Sequence, residues 1–511
     1  MLLHEFLENT ARRLPGKTAL ICGEQRLTYA EIDQLANRLA HGLLASGVRR
    51  GDRVAVCLDN SVEAVISVWA ILKAGGVFMM INASTKSDKL SYVLNNSRAA
   101  ALITTAEKIQ QWQSFLLQSA HLKTLIGVGA AETLPTNASL NITSWTDLLA
   151  RHPDGANPPP QVCIDVDLAS LIYTSGSTGD PKGVMVTHLN MVAAATSITT
   201  YLRNTEDDIV INVLPLSFDY GLYQLIMVFK FGGTLVLERT FAYPAVVLKK
   251  IAKERVTGLP VVPMIAAMLI QMDLTPYDFS SLRYLSNTGA AMPVEHIRKL
   301  RLLFPKIQIF SMFGLTECKR VGYLPPEQID IRPGSVGHAM PNVETWLVDE
   351  QNNRLPNNST GELVVRGSNV MSGYWEKPEE TAKMLRPGPL PNEQVLYTGD
   401  IFRTDEEGYL YFLGRRDDII KSRGEKVSPK EVENVLHAMP GIVEAAVIGV
   451  PDPVLGQAVK AVVVASSTAI TEKDILRYCA AHLEDFMVPK LVEIRESMPR
   501  TSSGKINKRA L

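Results

Sequence analysis

Residues 171–183 read Leu-Ile-Tyr-Thr-Ser-Gly-Ser-Thr-Gly-Asp-Pro-Lys-Gly. The apolar start has the texture of a strand end, and the remainder is a hydroxyl- and glycine-rich loop closing on a Pro-Lys-Gly turn. Gly176 and Gly179 can take backbone angles closed to other residues, so successive amides can converge on an anion. Thr174, Ser175, Ser177 and Thr178 add hydroxyl donors and Lys182 a cation, which makes the stretch a candidate phosphate cradle. It does not follow the order G-x-x-x-x-G-K-[ST]. Asp180 and Pro181 separate the last loop glycine from the lysine, so the P-loop NTPase reading fails.

Around this loop, hydrophobic periodicity sets out a mixed chain. Tyr29, Ile32, Leu35, Leu39, Leu43 and Leu44 recur at helical spacing before Gly47, and a strand-like run follows at 53–58. A second helix at 62–74 feeds the apolar run 77–81, in the manner of a parallel α/β layer. Strand-like runs at 209–214, 234–237, 258–262 and 283–286 alternate with helical segments at 241–255 and 294–303. After about residue 335, short alternating runs between Asn, Gly and Pro clusters predict a small β-rich unit reaching to 413. From Pro429 the pattern is mixed again, with helices near 429–438 and 472–483 and strands at 445–448 and 460–464. The expected division is an N-terminal core over 1–415 and a small α+β C-terminal domain over 416–511.

Bulk properties narrow the function. At 511 residues the chain is long enough for roughly three or four domain-sized units. With 46% hydrophobic and 21% charged residues it falls in the ordinary globular class. A net charge of -1 and the lack of any long Lys/Arg run argue against a nucleic-acid partner. The five cysteines, odd in number and without a C-x-x-C pair, predict a reduced cytoplasmic chain without structural zinc. An N-terminus without a basic start argues against a signal peptide, and no uncharged apolar run of about 18 residues predicts a membrane span.

Five further segments carry chemistry. Tyr397-Thr-Gly-Asp400 presents a carboxylate from a turn, where it can accept hydrogen bonds from vicinal hydroxyls such as those of ribose. Gly414-Arg-Arg-Asp-Asp-Ile-Ile-Lys-Ser-Arg-Gly424 falls at the predicted division. Phe313-Gly-Leu-Thr-Glu317 follows Gly289-Ala-Ala-Met-Pro293, and Gly504-Lys505 lies near the C-terminus. In this order, with residues 72–78 and the loop at 171–183, the segments resemble the signature motifs of the adenylate-forming superfamily. That superfamily includes acyl-CoA synthetases, amino-acid adenylation domains and firefly luciferase.

The resemblance implies a fold and a set of roles. The fold is α/β: two large α/β sheets plus a small β-barrel, followed by a C-terminal domain that rotates on a hinge. The loop 174–179 and Lys182 would hold ATP phosphates, Thr316 would touch the α-phosphate, and Glu317 would ligate Mg2+. Gly289, Ala290 and Ala291 would lie along the adenine, next to Phe313 and Gly314. Asp400 would hold the ribose, Arg415 would reach the nucleotide, and Asp417 would be the hinge. Gly424 would leave room for a pantetheine arm, and Lys505 would be the catalytic cation. A carboxylate attacking the α-phosphorus needs such a cation, since charge grows on the nonbridging oxygens. It needs no general base, being ionised at neutral pH.

The acid itself is less closely specified. By motif alignment the pocket comprises Asp219, Tyr220, Tyr223, Pro260, Ser286, Thr288, Met312, Arg320 and Val321. An aspartate at 219 resembles the amino-acid-activating members, where it binds the substrate ammonium, because a desolvated carboxylate is costly unless paired. Asp219 can instead cap the following helix or pair with Arg320, and Arg320 can hold a second carboxylate on the substrate or point to solvent. The leading expectation is a ligase that passes an aminoacyl group, or an acyl group bearing an amine, to a separate phosphopantetheinyl carrier protein. The alternatives are a fatty or aryl acyl-CoA synthetase using CoA, a luciferase-like oxidase, and a nonenzymatic nucleotide-binding protein.

Overall fold

The computed structural model describes residues 1–130, 134–135, 140–153, 157–174, 181–422, 425–467, 469–501 and 504–511. The opening stretch forms the rim of a hairpin. Strand Leu168–Thr174 is answered antiparallel by Lys182–Thr187, with Thr174 opposite Lys182. Ser175, Gly176, Ser177, Thr178 and Gly179, the heart of the predicted cradle, lie outside the described residues.

This hairpin ends a seven-stranded sheet. Its spatial order is Asn141–Ser144, Thr124–Val128, Ala99–Thr105, Arg53–Cys57, Val77–Met80, Leu168–Thr174 and Lys182–Thr187, parallel except for the last pair. A nine-stranded sheet holds the rest of the N-terminal core, its parallel centre running through Gln308–Phe313, Tyr284–Asn287, Gly258–Val261, Ile209–Asn212, Thr234–Leu237 and Thr18–Cys22. Strand Tyr284–Asn287 begins one residue later than the sequence suggests, although Arg283 still bonds to both neighbouring strands through its amide and carbonyl, and its side chain meets Asp208 at 2.7 Å.

The helices of both layers share one core. Val62–Lys73, capped where Ser61 accepts from the Ala64 amide, is buried from Ala64 onward, as its nearly unbroken apolar run requires. Trp69 stacks on Phe229 of helix Asp219–Phe231 with ring centres 5.1 Å apart, an aromatic pairing that adds about 1 kcal/mol beyond area burial. Lys73, fully buried, is neutralised by Glu8 at 2.8 Å and Asp33 at 2.9 Å.

The unit expected as a barrel pairs as a five-stranded antiparallel sheet. The long strand Gln394–Thr404 takes Thr360–Gly367, Leu385–Pro387 and Leu410–Arg415 as neighbours, and Val343–Val348 adds to Thr360–Gly367. The C-terminal domain has its own five-stranded sheet, centred on Ile442–Asp452 and Gly456–Ala465, and its own apolar core. Helices Pro429–Ala438 and Glu472–His482 cover it. Among the described residues no helix is long and apolar enough to cross a membrane.

Candidate active site

The nucleotide motifs converge where the two α/β layers, the small sheet and the C-terminal domain meet. Asp400 lies in the middle of strand Gln394–Thr404, directly after Gly399, whose φ of +71° swings the chain at this point. Its amide donates to Thr398 Oγ1 at 3.1 Å, and its side chain is buried. Arg415 ends the partnering strand, with Nε 3.5 Å from Asp400 Oδ1, yet that oxygen has no hydrogen-bond partner among the described residues. Burial pushes the Asp400 carboxyl up to about 7, against the pull of Arg415. A buried carboxylate with an open acceptor is suited to hydroxyl donors from a ligand.

Glu317 stands in the turn after strand Gln308–Phe313 and is oriented by Tyr374, which donates its hydroxyl to Oε1 at 2.8 Å. Burial, then the charge of Glu317, holds that phenol well above its usual range, so it remains a donor. Among the described residues no group of three or more metal-binding side chains occurs. A lone oriented carboxylate fits Mg2+, which takes most of its ligands from phosphate and water.

Lys505 arrives from the other domain. Its loop is closed by the Thr501 amide donating to the Lys505 carbonyl at 2.8 Å and by Arg500 Nη1 donating to the Gly504 carbonyl at 2.9 Å, while Arg500 Nη2 meets both Glu444 oxygens at 2.7 and 2.8 Å. Its Nζ lies 5.9 Å from the Phe218 ring centre. Lys505 is exposed to the open cleft, yet the protein on its other sides lowers its ammonium pKa. Crowding is the larger cause and Arg415 the next, while Asp400, Glu317 and Asp219 pull the other way. These residues therefore share one electrostatic site. Gly289, at φ +85°, brings the adenine-motif segment against Phe218: a Cβ there would stand 3.0 Å from the ring. Lys430 of the C-terminal domain donates to the Ala291 carbonyl at 3.2 Å, docking that domain on the same segment. Lys182 is held by Glu380 at 2.5 Å, above the Tyr374 ring. Asp417 is exposed in a turn where the Asp418 and Ile419 amides both donate to the Arg415 carbonyl at 3.0 Å. Gly424 lies outside the described residues.

The acid-binding side departs from expectation at Asp219. The helix is capped by Phe218 without a side-chain bond, so Asp219 is not the cap. It faces Lys319 Nζ at 3.3 Å and Arg320 Nη1 at 4.0 Å, all three buried. The aspartate expected to meet a substrate ammonium is thus answered by two cations from the protein itself. Lys319 was not singled out by the motifs; the signal was the pair of basic residues, Lys319 and Arg320, two and three positions after Glu317. Its backbone is left-handed, φ +65°, in a turn so tight that a Cβ on Gly314 would lie 2.1 Å from the Lys319 carbonyl oxygen. Asn369 secures the turn by donating to the carbonyls of Cys318 and Arg320 at 2.7 and 2.8 Å.

The remaining pocket residues gather around this cluster. Tyr220 donates to the Ser286 carbonyl at 2.6 Å and lies under the Arg320 guanidinium, 4.8 Å from ring centre to Cζ. Pro260 pairs with Ser286 across neighbouring strands, Met312 Sδ accepts from Tyr201, and Val321 is fully buried. The Tyr223 hydroxyl, Thr288 Oγ1 and Arg320 Nε are buried without hydrogen-bond partners among the described residues.

The α/β core thus gathers the buried carboxylate of Asp400 and the oriented carboxylate of Glu317, and the C-terminal domain brings Lys505 to them. The chain belongs to the AMP-binding enzyme family: that family's model matches residues 7–375, and the model of the AMP-binding enzyme C-terminal domain matches residues 431–505. It is 32% identical to a long-chain-fatty-acid–CoA ligase of Salmonella typhimurium, across 100% of this chain and 94% of that relative. It is 35% identical to a feruloyl-CoA synthase of an Amycolatopsis species, across 98% and 96%. A solved anthranilate CoA ligase in complex with anthranoyl-AMP superposes with a TM-score of 0.89 at 27% identity, covering 99% of this chain and 95% of that one.

Proposed function

We propose that this protein condenses a small carboxylic acid with ATP to an acyl-adenylate, releasing pyrophosphate, and then transfers the acyl group to the thiol of CoA. The observation that carries the reading is the delivery of Lys505 to the cleft already lined by Glu317, Asp400 and Asp219. In the first step a substrate carboxylate oxygen bonds to the α-phosphorus as the bond to the bridging oxygen breaks. Lys505, with Thr316, meets the charge growing on the α-phosphate oxygens. Asp400 holds the ribose hydroxyls and Arg415 steadies that carboxylate. Lys182, released from Glu380, meets the outer phosphates. Glu317 is the residue that would hold Mg2+, an ion that neutralises phosphate charge when bound. In the second step the thiol sulfur bonds to the acyl carbon, AMP leaves, and the thiol proton passes to solvent.

CoA as acceptor is supported by relatives that are CoA ligases across nearly their full length. The pairing of Asp219 within the protein takes away the footing of the amino-acid reading. We place the division of the chain at Arg415, with the exposed turn at Asp417 as hinge, so that rotation exchanges Lys505 for a thiol-facing surface. ATP–pyrophosphate exchange over a panel of fatty, aryl and amino acids, followed by mass detection of thioesters on CoA or on a phosphopantetheinyl carrier protein, tests the reading. Failure of every acid to support exchange overturns the activation step, and loading of the carrier alone overturns the CoA assignment.

A further inference from the structure

At the inner end of the expected acid site two buried cations stand against one buried carboxylate, whose Oδ1 is itself without a hydrogen-bond partner among the described residues. Lys319 and Arg320, consecutive and both buried, share the single carboxylate of Asp219. Lys319 is otherwise occupied, donating to the Thr316 carbonyl at 2.8 Å. Arg320 spends Nη1 on the Lys319 carbonyl at 2.9 Å and lies at the longer distance from Asp219, while its buried Nε has no hydrogen-bond partner among the described residues. Around it the buried Tyr223 hydroxyl is likewise unpartnered. A desolvated guanidinium with a free donor is costly unless an anion completes it, and an arginine is suited to receive a carboxylate in the plane of its fork.

Resting on the proposed acid activation, the geometry points to a substrate that carries a second anionic group, a dicarboxylic acid, whose distal carboxylate is read by Arg320 with the Tyr223 hydroxyl beside it. The reacting carboxylate then lies toward Phe218 and Lys505, and the distal one toward helix Asp219–Phe231. Asp219 has a positioning part: it fixes Lys319 and sets the guanidinium from one side, leaving the other for the ligand. An amine-bearing tail would meet two cations there, and a plain alkyl tail would leave Arg320 Nε without an acceptor.

The test compares matched acids in pyrophosphate exchange: pentanoate, 5-aminopentanoate and glutarate, and benzoate with isophthalate. Wild-type enzyme is expected to favour the diacid of each set by about 30-fold or more in kcat/KM, the scale of losing one partner of a buried charge pair. Arg320→Met is expected to raise KM for the diacid and to erase the preference for it over the matched monoacid. Arg320→Lys, which keeps the charge in case the methionine variant unfolds, is expected to restore part of it. Exchange supported by monoacids with no diacid preference overturns this inference while leaving acid activation standing. Absence of exchange with every acid overturns the activation reading instead. A preference for 5-aminopentanoate would return Asp219 to the role of ammonium partner.

Discussion

Tyr374 holds Glu317 by a 2.8 Å hydrogen bond from its hydroxyl, tying the carboxylate after strand Gln308–Phe313 to a residue just beyond strand Thr360–Gly367. Removing that hydroxyl frees a rotor where metal and phosphates are to be aligned. Tyr374→Phe is expected to lower kcat about tenfold, with a raised Mg2+ requirement in pyrophosphate exchange and little change in KM for the acid. Unaltered Mg2+ dependence would show that Tyr374 orients nothing of consequence.

In the proposed scheme Lys505 comes from the C-terminal domain and its charge serves the α-phosphate. Lys505→Ala is expected to cost about 100-fold or more in adenylate formation. Thioester formation from synthetic acyl-adenylate and CoA should change little. Stopped-quench assays of the two half-reactions separate these outcomes.

Asp400 supplies a pH signature. Its folded-state pKa, about 7, lies above the ordinary 3.8, so the ionised form is disfavoured in the empty cleft and protonation removes a hydroxyl acceptor. KM for ATP is therefore expected to rise as pH falls below about 7. Because the pKa is raised, ionisation costs stability as pH climbs from 3.8 to about 7. Asp400→Asn should resist urea better than wild type above that range while binding ATP more weakly at every pH.

His296 and His437 couple domain docking to acidity. Their rings lie 5.3 Å apart between helices Val294–Leu303 and Pro429–Ala438, with Nδ1 of each buried and unpartnered among the described residues. Burial, then neighbouring lysines, lowers His296 to about 4, and burial with Lys430, His296 and Lys299 holds His437 well below its usual range. The neutral pair stabilises this domain arrangement above the ordinary histidine pKa of 6.5, and that contribution is lost as pH falls toward 4. Tryptic cleavage in the 415–424 segment should quicken on acidification, and His437→Phe should flatten the response.

Much of the architecture was legible from pattern. The helices over 294–303 and 429–438 lie where periodicity puts them, because each has one strongly apolar face and a defined start. Strand ends were less legible, as at Arg283, which bonds to both neighbours yet precedes strand Tyr284–Asn287, because the end of a ladder is set by its partners and not by local pattern. The structure brings Asp400, Glu317 and Lys505 together, and each stands out in the sequence because it belongs to a short contiguous motif. Tyr374, Asn369 and Glu380 were not, since each acts across a long stretch of chain with no local pattern to mark it.

The sequence by itself determined the reaction class: a glycine- and hydroxyl-rich loop, an aspartate after a Thr-Gly pair and a glycine-preceded lysine near the C-terminus are each read locally, and their order along the chain defines the chemistry. Only the tertiary structure decided what Asp219 faces. Its partners lie far along the chain, and the parallel register of strands Gly258–Val261, Tyr284–Asn287 and Gln308–Phe313, with the strained turn at Lys319, brings them to it. Local sequence encodes the charge of a side chain, but the balance of charge in a buried pocket is set by which elements the fold packs together.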